Sequence, residues 1–354
     1  MKVMTNPFVK RIKRGADKEL LLFSQNELNY SVFDGLPPVS GNSTHFRFHP
    51  TRSEWVGYST ARQNRTFLPD ALECPLCPMQ DEKKQSDIPV DKYEVAIFTN
   101  RFSSLQLQAS EPPSIEIDTN HATGTCDVVS YSSNHLDQFS QLSLERINLI
   151  IQALSYRTKE LFNKSEIKYV LPFENKGKEI GVTLDHPHGQ IYSFGHIPEA
   201  IKKQSQTQQS NPLEKYISKI PEDLILKKNN NGISFVPRWA RYPFEIWIVP
   251  NRRVSNLFDL SDEEQKDIAE LMLDASKKLD SLFDSPMPYT LAWQISPKGY
   301  EETHHLHICF QPIRRSKTKL KFLAGVEQIT GFYLVDLPPE RSARILRGEE
   351  QPDE

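Results

Sequence analysis

No stretch of this 354-residue chain approaches the roughly 18 consecutive apolar residues that a membrane-spanning helix requires. The basic N-terminal run MKVMTNPFVKRIKRG has no apolar core of the kind a secretion signal carries, so the expectation is a cytoplasmic protein. Cysteine is scarce: four residues are too few for a disulfide scaffold. Charge of either sign is not in surplus. Lys plus Arg number 43 and Asp plus Glu 46, a formal net charge of −3, which argues against a chain built to coat nucleic acid or an anionic membrane. What is present is ordinary globular material, 38% hydrophobic and 25% charged, enough to bury a core. The length fits about two domains or one large domain with internal duplication.

Residues 1–45 are mixed and polar with little periodicity and read as an N-terminal arm. From Phe46 the pattern sharpens into short β-branched and aromatic runs. YEVAIF (93–98), DVVSY (127–131), KYVLP (168–172), QIYSF (190–194), FEIWIV (244–249), YTLAWQI (289–295) and LHICFQPI (306–313) read as strands bounded by Pro, Gly and Asn. Ser261 with Glu264 forms a capping box ahead of Ile268, Leu271, Met272, Ala275, Leu279 and Leu282, a helical stripe. A second helix begins near Ser143 and carries Leu144, Ile147, Ile151 and Leu154. The polar stretch up to the Asn229–Asn231 run, residues 201–231, reads as a connecting segment.

The two sides of that segment resemble each other. His135 is followed by a helix, a strand and His186-Pro-His188; Arg252 is followed by a helix, a strand and His305-Leu-His307, at nearly the same spacing. A unit used twice, over 46–200 and 232–354, is the economical explanation. The expected fold class is α+β, two tandem α/β units, each a largely antiparallel sheet with packed helices.

In the extended segment His186-Pro-His188-Gly-Gln190, side chains two apart share a face, so both imidazoles approach one site. Gly189 would let a ligand near the backbone, and Gln190 would offer an uncharged donor to an anionic oxygen. A neutral imidazole attacks phosphorus, splitting one hard displacement into two easier ones. The competing explanation is two surface histidines beside a turn. Cys74-Pro-Leu-Cys77 has metal-knuckle spacing, and His135 and His186 are the best placed histidines to complete a tetrahedral zinc site. A thioredoxin-like redox pair is the alternative, but the polar stretch 80–87 supplies no βαβ context after the motif. Arg62 and Arg65 could clamp a diphosphate or simply decorate a solvated loop. Asn175, in FENKG, could orient a phosphate or a sugar hydroxyl.

CPLCP, TNRF, NH before a helix, FENKG, HPHGQIY, PFE before a strand and KFLAGVE, taken in order from about Arg47 to about Glu327, resemble the galactose-1-phosphate uridylyltransferase family, the nucleotidyltransferase branch of the histidine triad superfamily. The resemblance implies two histidine-triad-like halves and a ping-pong exchange of UDP-glucose and galactose 1-phosphate for glucose 1-phosphate and UDP-galactose. It casts His188 as the nucleophile, Gln190 as a hydrogen-bond partner of the transferring phosphoryl group, and Cys74, Cys77, His135 and His186 as ligands of about one structural zinc per chain. Arg62, Arg65, Asn100, Phe102, Asn175, Gly181 and Thr183 fall where the family contacts nucleotide and phosphate, and Lys321 and Glu327 where it contacts the hexose phosphate. In family members that last segment serves the neighbouring subunit, which implies a homodimer.

The chain departs from the pattern in places. Arg101 stands where many members carry Asp, and Thr183 where many carry Ser. Some members hold a second metal through a Glu and three His; here His305 and His307 remain, Trp293-Gln294 replaces Trp-His, and Glu199 is the nearest acid after HPHGQ, which argues against that second ion. The shorter pattern beyond Glu327 keeps two alternatives open. One is an adenylyl-transferring sugar-nucleotide phosphorylase of the ADP-glucose type; the other is a nucleotide hydrolase or sensor.

Overall fold

The computed structural model describes residues 7–14, 18–33, 43–60, 69, 73–80, 86–210 and 212–353. The first half contributes β1 (Phe8–Lys13), β2 (Glu19–Ser24), β3 (Thr44–His49), β4 (Glu54–Ser59), β5 (Val95–Thr99), β6 (Thr119–His121), β7 (Gly124–Ser130), α1 (Leu144–Phe162), β8 (Tyr169–Lys176) and β9 (His188–Phe194). Then follow α2 (Glu199–Gln208), α3 (Pro212–Ile217), β10 (Ile225–Lys228), β11 (Gly232–Phe235), β12 (Ile246–Pro250), α4 (Asp262–Asp280), β13 (Tyr289–Gln294), β14 (His307–Pro312), α5 (Gly325–Thr330) and α6 (Pro339–Leu346).

The long helices begin where their caps place them. Ser143 accepts a hydrogen bond from the Arg146 amide at the head of α1. Ser261 and Glu264 exchange bonds of 3.2 and 2.8 Å at the head of α4. Their apolar stripes pack against each other and against one face of the sheet, with Ile147, Ile151, Ile268 and Met272 meeting Val129, Ile191, Leu291 and Phe310 in one core. Asp127 on β7 is fully buried and accepts from Arg157 Nε on α1 at 2.7 Å.

Eleven strands form one continuous sheet in the order β1-β2-β5-β7-β9-β8-β13-β14-β12-β11-β10, antiparallel at every pairing. The halves meet where β8 pairs with β13, Asn175 opposite Thr290. Counting outward from that seam, β9 and β14 are equivalent, and each opens at a histidine of an H-x-H pair. The mixed α+β class and the antiparallel sheet agree with the sequence reading. A separate three-stranded sheet, β4-β3-β6, lies beside the first half.

Two segments carry more structure than their composition implied. The stretch read as an N-terminal arm holds β1 and β2, and Leu20, Leu21 and Phe23 of β2 are fully buried. The stretch read as a connector holds α3 and β10 and most of α2. On β9 burial alternates: Gly189, Ile191 and Ser193 are buried, whereas His188, Gln190 and Tyr192 stand half-buried on the opposite face. That face carries the site.

Candidate active site

The loops before β5, after β7 and before β9 bring Cys74, Cys77, His135 and His186 together, with their ligand atoms within 4.8 Å of one another. His186 Nδ1 stands 3.7 Å from Cys74 Sγ and 3.5 Å from Cys77 Sγ, and His135 Nδ1 lies 3.5 Å from Cys77 Sγ. His186 Nε2 donates to the Ser132 carbonyl at 2.7 Å, which fixes the tautomer that leaves Nδ1 open toward the sulfurs. A hydrogen bond from Cys77, reinforced by His186, holds the Cys74 thiol well below its ordinary range. A fourfold N/S donor set with soft sulfurs and an oriented imidazole fits a tetrahedral metal ion. Beneath it lies a small apolar cluster that includes Leu76, Ile88, Val90, Tyr93 and Phe98.

The same residue that faces the sulfurs also sets the next histidine. His188 Nδ1 donates to the His186 carbonyl at 2.7 Å, so Nε2 carries the lone pair. Burial lowers the pKa of His188 and favours the neutral ring. His188 borders two clefts. One is lined by Asn100, Phe102, Thr183 and Gln190. The other, about 430 Å³, is lined by His135, Asn175, Lys176, Glu179 and Arg314. Asn100 Oδ1 accepts from the Phe102 amide at 2.9 Å, which tightens the turn after β5. Asn175 accepts from Thr290 across the seam at 3.3 Å.

Gly189 serves a different end from the one expected. It lies on the face away from His188, and a Cβ there would meet the Tyr131 hydroxyl at 2.1 Å and the Phe173 carbonyl at 3.0 Å. Its small size makes room for the chain's own tyrosine, because alternation turns it away from any ligand beside His188. Gly181 caps the short turn Lys178–Ile180 with φ +80°, a backbone requirement with open space around it. Lys321 and Glu327 pair with each other at 2.9 Å, each only 8% exposed, and border neither of the two clefts. Arg62 and Arg65 lie outside the described residues. Arg101 borders the cleft beside Asn100 and pairs with Asp87 at 2.9 Å.

In the second half the histidine geometry is repeated and its outlet is blocked. His305 Nε2 donates to the Pro250 carbonyl at 2.9 Å and His307 Nδ1 to the His305 carbonyl at 2.9 Å, the same two bonds as at His186 and His188. Here, however, Gln204 reaches His307 Nε2 at 3.3 Å, and the ring stacks on Trp247. Gln208 bonds His304 Nδ1 at 3.2 Å and accepts from the His305 amide at 2.8 Å. Burial holds His304 at about 4 and His307 at about 3, so both rings are neutral. Glutamines of α2 thus occupy the place where the sequence reading looked for an acid and found Glu199. Among the described residues, the His/Cys/Asp/Glu group that could hold an ion is the one at Cys74.

Comparison with known proteins follows the same division. The N-terminal domain of galactose-1-phosphate uridyl transferase matches residues 38–198, and its C-terminal domain matches residues 199–352. The galactose-1-phosphate uridylyltransferase of Thermotoga maritima is 32% identical over 320 residues, covering 86% of this chain and 98% of that protein. A solved structure of a uridylyltransferase superposes with a TM-score of 0.77 at 28% identity, covering 86% of this chain and 98% of that one. An ADP-glucose phosphorylase from Arabidopsis thaliana, solved with bound ADP-glucose, shares the fold with a TM-score of 0.65 at 22% identity and covers 86% of this chain and 99% of that one.

Fold and site together define an enzyme of the nucleotidyltransferase class. The chain belongs to the galactose-1-phosphate uridyl transferase family.

Proposed function

We propose that this chain exchanges the uridylyl group between UDP-glucose and galactose 1-phosphate through a covalent uridylyl-His188. The observation that carries the reading is the 2.7 Å bond from His188 Nδ1 to the His186 carbonyl, which leaves Nε2 as the nucleophilic atom between two clefts. Nε2 attacks the α-phosphorus, the bond to the bridging oxygen breaks, and glucose 1-phosphate leaves. A phosphate oxygen of galactose 1-phosphate then attacks the same phosphorus, the phosphorus–nitrogen bond breaks, and UDP-galactose departs. During the first step positive charge develops on the ring while Nδ1–H stays on its carbonyl, which stabilises that charge. Gln190, on the same face of β9, donates its amide to the transferring phosphoryl oxygen.

In this reading the cleft of Asn100, Phe102 and Thr183 takes the nucleoside, Asn175 and Gly181 shape the phosphate side, and Arg62 and Arg65 clamp the diphosphate. Cys74, Cys77, His135 and His186 hold one zinc, which supplies folding stability by tying the loops that carry His186 to the sheet. Residues 46–200 and 232–354 are the two histidine-triad-like halves. Lys321 and Glu327 serve the hexose phosphate of a second copy in a homodimer. Support for the dimer is apolar: Phe322, Val326, Ile329, Phe332 and Leu334, around that ion pair, are 49 to 73% exposed. The enzyme works in the cytoplasm, and no helix among the described residues is long and apolar enough to cross a membrane.

Labelling with uridine-labelled UDP-glucose in competition with ADP-glucose tests the reading. Retained label that is lost in His188→Gly and resists excess ADP-glucose is expected. Label displaced by ADP-glucose would assign the adenylyl alternative, and steady release of free UMP without an acceptor would assign a hydrolase.

A further inference from the structure

Arg314 follows β14 in the charged run RRSKTKLK. The structure brings it to the cleft that holds His188 and Asn175, with its side chain 12% exposed. Its contacts leave the guanidinium under-used. Nη1 donates to the Lys317 carbonyl at 3.0 Å, and Nη2 donates to Glu179 Oε1 at 3.2 Å. Nε–H is buried without a hydrogen-bond partner. A guanidinium that merely clasped Glu179 would present Nε and Nη together to both carboxylate oxygens. Here only Nη2 reaches the carboxylate, which is a quarter exposed to water. Among the described residues, the other Lys or Arg lining this cleft, Lys176, is committed to Asp280 at 2.7 Å.

We infer that Arg314 anchors the sugar 1-phosphate, its phosphate dianion taking the Nε and Nη donors while Glu179 acts as a resident competitor. This rests on the reading of His188 above: with the nucleoside on the Asn100 side, the leaving and entering sugar phosphate occupies the Asn175 side. A phosphate monoester matches the planar fork better than one partly solvated carboxylate, because two parallel charge-assisted bonds replace one. Arg314 comes from the second half of the chain and Asn175 from the first, so the sugar phosphate is held across the seam.

Calorimetric titration of the full-length, metal-loaded protein with glucose 1-phosphate and, separately, with UMP tests the assignment. Arg314→Ala should weaken glucose 1-phosphate by at least about fivefold and leave UMP within about twofold, because only the former reaches the anchor. Arg314→Lys should fall between, keeping charge but not the fork. Glu179→Gln should tighten glucose 1-phosphate by about twofold or more. Unchanged glucose 1-phosphate affinity in Arg314→Ala, or equal weakening of both ligands, would overturn it. So would a Glu179→Gln protein that loses both melting temperature and affinity, the signature of a structural clasp. If Arg314→Ala does not fold, the Lys and Gln variants still decide. Failure of wild-type protein to form a nucleotidyl-histidine would instead remove the role of His188, independently of these affinities.

Discussion

At position 189 the side chain that matters is a hydrogen atom. The nearest obstacle to a methyl group is the Tyr131 hydroxyl, 2.1 Å away, with the Phe173 carbonyl at 3.0 Å behind it. Gly189→Ala should therefore cost about 1–3 kcal/mol through overpacking and displace β9 beneath His188. Tyr131→Phe in the same chain should restore part of the loss, since it removes the closest atom. Thermal melts of the single and double variants check this; equal melting temperatures for wild type and Gly189→Ala would contradict it. Cys74 with Cys77 and His186 with His188 were legible from residue type and short spacing, and His135 from its place in the repeated unit. Gln204, Gln208 and Arg314 were not, because glutamine and arginine in polar stretches look the same whether they face water or a buried imidazole. Gly189 was legible as a constraint, but only the side of the strand decides whether it admits a ligand or a tyrosine.

The seam between β8 and β13 carries a buried carboxyl. Glu174 on β8 accepts the Tyr289 hydroxyl from β13 at 3.2 Å, and burial, opposed by Lys176, raises its pKa to about 7 from an ordinary 4.5. The folded chain thus holds this proton more tightly than the unfolded chain. Its contribution to stability is fully present below about 4.5 and is lost as pH rises through about 7. Glu174→Gln keeps an acceptor for Tyr289 and cannot ionise, so the melting temperature of the variant relative to wild type should climb by a few degrees across that window. A difference that stays flat with pH would refute the assignment. Among elements, α1 and α4 were legible from caps and stripes. β1 and β2 were not: β1 is an edge strand carrying Lys10, Arg11 and Lys13, and β2 is a short apolar run whose inner partner, β5, lies about 70 residues on. Pairing at that distance leaves no local signal.

At the scale of the whole molecule, one H-x-H hydrogen-bond pattern occurs twice; among the described residues the copy on β9 borders two clefts, whereas His307 on β14 is covered by Gln204 and Trp247. The duplication was legible in the spacing of the motifs, whereas the continuity of a single eleven-stranded sheet through the β8–β13 seam depends on pairing between halves and left no mark in either. The proposed metal belongs to this scale because its four candidate ligands come from loops that are far apart in sequence. Elemental analysis should find about one zinc per chain, lost in Cys74→Ser and Cys77→Ser together with several degrees of melting temperature. Undiminished metal in those variants would show that the ligands lie elsewhere.

The decisive test is the intact mass of the protein after incubation with UDP-glucose, followed by peptide mapping. A gain of one UMP residue on the peptide that contains His188, removed by adding galactose 1-phosphate, is the expected result. An unchanged mass, or an adduct on any other side chain, would contradict it.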